Sequence, residues 1–182
     1  MKKSSLSKSA VLALVLSLRF AACAFAQDAA KPSKADAKPG ADELHIFSYT
    51  RSGELVLKAA DFKALPHVNL TVHNEHSKAD ETYSGVRLAD LLAKMNAPLG
   101  HDLRGASLAA YVAATGADGY IAVLALAEVD PAFHPGDVIV ADAMNGQPLD
   151  EKSGPYKLVV SEDKRPARWV RNLISIQLRS AK

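Results

Sequence analysis

A single cysteine, a single tryptophan and a near balance of 22 Lys and Arg against 20 Asp and Glu set the first limits on this sequence. The cysteine, Cys23, falls inside a stretch that reads as a cleaved leader. The remainder then has none, so it forms no disulfide and no thiolate metal site despite an oxidising destination. A thiol nucleophile is excluded with it. The sequence contains no G-x-S-x-G elbow, no G-x-G-x-x-G or Walker loop and no H-E-x-x-H helix signature. Hydrolase, nucleotide-binding and zinc-protease chemistry are therefore unsupported. No internal repeat is visible.

The leader spans residues 1–26. Lys2, Lys3 and Lys8 make a basic start, "AVLALVLSL" an apolar centre, and "AFA" before Gln27 a small-x-small cleavage site. These are the parts of a secretory signal peptide. The apolar run is too short for a good membrane span. Cys23 in "FAAC" offers a lipid-attachment alternative, against which Phe20 is a poor start for such a site; simple cleavage and a periplasmic location are the expectation. Loss of Lys2, Lys3, Lys8 and Arg19 leaves 18 basic against 20 acidic side chains, a net charge of −2. That balance gives no footprint for nucleic acid.

Residues 27–42, "QDAAKPSKADAKPGAD", carry Ala, Lys, Asp and Pro without an apolar period and read as a flexible linker. The domain is expected over 43–182, and about 140 residues suffice for one core. "LHIFSY" and "ELVLK" around "TRSG" predict a hairpin. "AADFKALP" predicts a short helix stopped by Pro66, and "HVNLTVH" an alternating strand. "RLADLLAKM" places Leu88, Leu91, Leu92 and Met95 on one helical face. "SLAAYVAA" and "YIAVLAL" predict strands joined by "TGADG"; "DVIVADA", "YKLVV" and "LISIQL" predict three more, with "NGQPL" a turn. Short strands close in sequence with few, brief helices imply an antiparallel or mixed α+β fold.

Several segments bear candidate chemistry. His73 and His76 in "TVHNEHSKADE", with Glu75 between them, have the spacing of a small metal site; the plain alternative is a polar strand end. His45, His67, His101 and His134 stand alone. In "TGADGY", Gly116 and Gly119 permit close backbone approach to a ligand. Asp118 is an acceptor-only carboxylate suited to amino or ring N–H donors; an ordinary turn explains the same residues. "SEDKRPARWVRNL" gathers Lys164, Arg165, Arg168 and Arg171 around Trp169. Guanidinium groups grip carboxylates or phosphates, and an indole offers a flat face to a ring or a cation. A solvated loop paired with Glu162 and Asp163, with Trp169 in the core, is the alternative.

In order, "FKALPHVNLTV", "TYSGVRLADLL", "GADGYIAVLAL", "DVIVADAMNGQPLDEKSGPYKLVV" and "KRPARWVRNL" resemble the molybdopterin-binding domain of the sulfite oxidase superfamily, from about Phe62 to Leu178. The resemblance implies curved mixed β-sheets with short helices around a deep cofactor pocket. It implies that Asp118 and Tyr120 stand beside the cofactor, and that Arg168 and Arg171 face its pterin and phosphate, with Trp169 as a stacking wall or a core residue. The superfamily's enzymes bind molybdenum through a cysteine between the "LTV" strand and "YSGV". Here that interval is "HNEHSKADET", so His73 or Glu75 occupies the former metal-ligand region. The haem and dimerisation domains that accompany sulfite oxidases have no counterpart in the sequence. The resemblance thus implies a small secreted pterin-binding member, with a pterin or molybdopterin-like ligand, without molybdenum, reporting to a membrane-bound signalling protein. The alternatives are a molybdenum oxidoreductase using His73 or Glu75 as ligand, and an interaction module with a vestigial pocket.

Overall fold

Alternation of buried and exposed residues organises the first strands. In the computed structural model, which describes residues 42–75 and 77–181, β1 (Glu43–Ser48) buries Leu44 and Ile46 and turns back into β2 (Arg51–Lys58) as an antiparallel hairpin. The leader, all of the linker but Asp42, and His76 lie outside the described residues. Helix α1 (Ala59–Lys63) follows and inserts Phe62 into the core, where its ring lies 4.8 Å from that of Tyr156.

A second hairpin joins β3 (Val68–Asn74) to β4 (Ala79–Arg87). Helix α2 (Leu88–Ala93) then buries Leu88, Leu91 and Leu92, and Met95 just beyond it completes the same apolar face. After two turns of 3-10 helix come β5 (Ala110–Gly116), β6 (Ile121–Ala125) and the single helical turn α3 (Leu126–Val129). The chain closes with β7 (Val138–Met144), β8 (Gln147–Pro148), β9 (Lys157–Val160) and β10 (Leu173–Ser180).

Two sheets result. One runs β2-β1-β10-β5-β6, antiparallel except for the parallel pair β1 and β10. The other runs β3-β4-β7-β8, with β9 also paired to β7. Val138 to Ala141 and Leu158 to Val160 are all buried. Such unbroken apolar runs need cover on both faces, and β7 and β9 have it. The fold is the expected mixed α+β architecture. Among the described residues no helix is long and apolar enough to cross a membrane.

Three segments differ from expectation. "SLAAYVAA" becomes a strand only from Ala110, because residues 105–109 form a 3-10 helix. "YIAVLAL" ends as a strand at Ala125, whose N–H is accepted by the Glu128 carboxylate at 2.8 Å, which starts α3. Strand β4 was not expected at all. It bulges at Ser84–Gly85, and Gly85 lies so close to β7 that a Cβ there would stand 2.1 Å from the Val140 carbonyl oxygen. The glycine of "YSGV" is therefore a packing requirement.

Candidate functional site

The loop between β5 and β6 is a tight hairpin. Gly119, at a φ of +83°, lets the backbone reverse, and its N–H donates to the Gly116 carbonyl at 2.9 Å. Asp118 braces the turn by accepting the Tyr120 N–H at 2.9 Å. The Ala117 N–H donates to the Asn172 carbonyl at 2.9 Å, and Gly116 stands in register with Leu173. These bonds bring "TGADGY" against "RWVRNL". The Tyr120 hydroxyl closes the contact from the other side by donating to the Ala167 carbonyl.

The segment before β10 is held to the second sheet. The Leu158 N–H donates to the Val170 carbonyl at 2.8 Å, and the Leu173 N–H to the Tyr156 carbonyl at 2.8 Å. Trp169 is 8% exposed, donates its indole N–H to the Val160 carbonyl at 3.0 Å, and meets the Tyr83 ring edge-on at 5.8 Å. It is therefore both a core residue and part of a cavity wall.

That cavity, of about 510 Å³, opens between the ends of the two sheets. Four of the candidate residues line it: Asp118, Tyr120, Trp169 and Arg171. The other candidates have different surroundings. Arg168 donates through Nε and Nη2 to Asp163, at 3.0 and 2.6 Å, and through Nη1 to Glu128 at 2.9 Å. Those carboxylates raise its already high pKa further. Arg168 thus clamps its loop to α3 and is not among the lining residues. His73 pairs with Asp80 at 2.8 Å, and Glu75 with Lys78 at 2.6 Å, both at the exposed end of the β3–β4 hairpin; neither is among the lining residues, although Asn74 between them is. Among the described residues no three His, Cys, Asp or Glu side chains are grouped to hold a metal ion.

The cavity also contains a group that sequence reasoning missed. Lys157, Tyr83, Glu81 and Asn74 line its second-sheet wall. Lys157 Nζ donates to the Tyr83 hydroxyl at 2.7 Å, and Tyr83 donates to Glu81 at 2.7 Å. Burial pushes the Glu81 carboxyl up, but bonds from Tyr83, Asn74 and Ser77 outweigh it and hold the group below its usual range. Burial, then the adjacent Glu81 carboxylate, raises the Tyr83 phenol. Burial lowers the Lys157 ammonium; Glu81 opposes this and Arg171 adds to it. The one available signal was the lysine of "YKLVV", a lone cation opening an otherwise apolar strand.

In ligand terms the wall offers two acceptor-only carboxylates, Asp118 and Glu81, two cations and three aromatic rings. A carboxylate matches amino and ring N–H donors, the cations match carbonyl and anionic groups, and the rings supply apolar faces. That set fits the organic part of a pterin cofactor. It includes no thiolate: residues 75–78, between β3 and β4 in the sequence, contain no cysteine.

Comparison with known proteins agrees with this geometry. The family described as "Oxidoreductase molybdopterin binding domain" matches residues 43–182. No curated protein matches the chain. Thirty solved chains match it. Among them is the sulfane dehydrogenase SoxCD from Paracoccus pantotrophus, with a TM-score of 0.58 and 18% identity over 78% of this chain and 40% of that one. At that identity the likeness concerns the fold. With the family match spanning the whole two-sheet unit, the chain belongs to the oxidoreductase molybdopterin binding domain family of the sulfite oxidase type.

Proposed function

We propose that this domain is an exported, periplasmic binding protein for a pterin or molybdopterin-like ligand, held in the cavity between the two sheets. The observation that carries the reading is the convergence of Asp118, Tyr120, Trp169, Arg171 and Lys157 on one wall system of about 510 Å³. Asp118 accepts hydrogen bonds from the amino edge of the heterocycle. Arg171 donates to its carbonyl or to an anionic tail, and Lys157 supplies a second positive charge. Tyr120 and Trp169 exclude water from the ring faces. When bound, a molybdopterin brings a redox-active pterin with a dithiolene and a phosphate. The missing cysteine supports a ligand held without a protein-ligated molybdenum, because the soft anionic donor of such a site is absent. A membrane-bound signalling protein that distinguishes the loaded from the empty form completes the reading.

Equilibrium dialysis of the purified protein against pterin-6-carboxylate tests it. Saturable equimolar binding is expected. Arg171→Ala should weaken it by about 1.5–3 kcal/mol, roughly 10- to 150-fold, the range for a hydrogen bond to a charged group. Asp118→Asn should weaken it as well, since the amide replaces one acceptor by a donor. Absence of binding, or equal binding by both variants and the parent, would contradict the proposal.

A further inference from the structure

Strand β6 is the last of the first sheet, and the β5–β6 hairpin fixes which of its backbone groups face the open edge. The Gly116 N–H donates to the Tyr120 carbonyl and the Gly119 N–H to the Gly116 carbonyl, both at 2.9 Å, so the strands begin as a hydrogen-bonded pair at Gly116 and Tyr120. Such pairs alternate along an antiparallel ladder. Ala122 opposite Ala114 and Leu124 opposite Val112 therefore bond across to β5. Ile121 and Val123 turn their N–H and C=O groups outward, and among the described residues nothing bonds to them. The next outward N–H, that of Ala125, is already taken by Glu128.

The side chains at this edge are as open as the backbone. Ile121 is 57% exposed and Val123 51%. Residues 119–127, "GYIAVLALA", carry no charge. Charge, proline and short length are the devices that keep a sheet edge from pairing. The other outer strands have them: β2 carries Arg51, Glu54 and Lys58, and β8 stops after two residues at Pro148. Strand β6 has neither charge nor proline, and it is held in place at both ends. The Tyr120 hydroxyl donates to the Ala167 carbonyl before it, and Glu128 accepts from Arg168 after it.

We propose that β6 pairs with β6 of a second copy of this chain, antiparallel about a two-fold axis at Ala122. Each Ile121 then stands opposite the partner subunit's Val123, and the outward N–H and C=O groups of both residues are all satisfied. The two five-stranded sheets become one continuous sheet. The β-branched side chains of Ile121 and Val123 from both copies meet on its outer face. A strand of another protein running on past Ala125 would meet an N–H that Glu128 has already capped, whereas a second copy stops at the same place. The segment meets only itself across the axis, and with no charge in it nothing repels. Five residues span about 17 Å. An edge of that length buries less than the roughly 800 Å² per partner of a stable dimer, so the association is reversible.

Sedimentation velocity of the purified protein from about 1 to 500 μM, with hydrogen exchange of single amides at both ends of that range, tests the proposal. The protein is expected to pass from monomer to dimer as concentration rises, with exchange at the Ile121 and Val123 amides slowed about tenfold or more. Val123→Pro removes an edge donor without breaking a bond inside the sheet, and Ile121→Lys sets like charges beside each other across the axis. Each should weaken dimerisation about tenfold or more, with circular dichroism unchanged. Tyr49→Lys, at an exposed ring away from β6, should leave it as it is. If Val123→Pro does not fold, Ile121→Lys carries the test. A dimer that the folded edge variant leaves intact, or whose Ile121 and Val123 amides stay unprotected, would overturn the proposal. Monomers at every concentration would overturn it as well, and would leave the edge to a strand of another protein. The assay contains no pterin, so its failure is separate from failure of the binding test.

Discussion

Arg168 and Lys157 exchange the roles that their sequence contexts advertise. Arg168 sits among cations and a tryptophan, yet its guanidinium donates to Asp163 and Glu128. Arg168→Ala should therefore leave pterin affinity within about twofold while lowering stability by about 1 kcal/mol, the upper range for a partly exposed ion pair. Dialysis and urea denaturation of the same variant separate the two effects. Lys157 sits in an apolar strand and lines the cavity. Its position was not legible because a lone lysine at a strand end reads as a solvated edge, and only tertiary pairing of β4, β7 and β9 sets it beside Tyr83. Asp118 was legible for a local reason: two glycines around an acid fix a tight turn with its carboxylate at the tip. Trp169 was open between core and wall, and its geometry serves both.

At the scale of elements, hairpins position the site. The β5–β6 turn is pinned to the segment before β10, and that segment is pinned in turn to β9. The sequence shows the strands of this chain of contacts through their apolar runs, but not the bonds between Ala117 and Asn172 or between Leu158 and Val170. Strand β4 escaped detection because Glu81 and Thr82 interrupt its apolar alternation and Gly85 breaks its register. Gly85→Ala tests that account. Its Cβ meets backbone at 2.1 Å from the Val140 oxygen and 2.5 Å from the Ala141 Cα, and backbone cannot rotate away. A loss of about 3 kcal/mol or more is expected, read by thermal or urea unfolding, as for other overpacked cores. An unchanged midpoint would mean that β4 and β7 are farther apart than described.

The whole molecule couples its site to acid stability. Glu81 belongs to the cavity wall and Glu128 to the clamp on Arg168. Burial raises both carboxyls, but hydrogen bonds from Tyr83, Asn74 and Ser77 at Glu81, and from Arg168 and the Ala125 N–H at Glu128, leave both below the ordinary value of 4.5. A carboxyl depressed in the folded state contributes stability above its unfolded pKa and loses it as pH falls through the folded value. Unfolding free energy should therefore decline below about pH 4.5, with a shallower decline in Glu81→Gln and in Glu128→Gln. Urea midpoints measured from pH 3 to 7 check this, and an unaltered slope in both variants would contradict it.

The family membership and the two-sheet fold leave one claim at the centre of the account: the cavity holds a pterin without a protein-ligated metal. Native purification of the full chain from its own cells tests it most directly, with mass spectrometry of the small molecules released and elemental analysis for molybdenum. An equimolar pterin-type compound and no stoichiometric molybdenum are expected. Equimolar molybdenum, or a cavity that retains no pterin and takes none up when one is added, would contradict it.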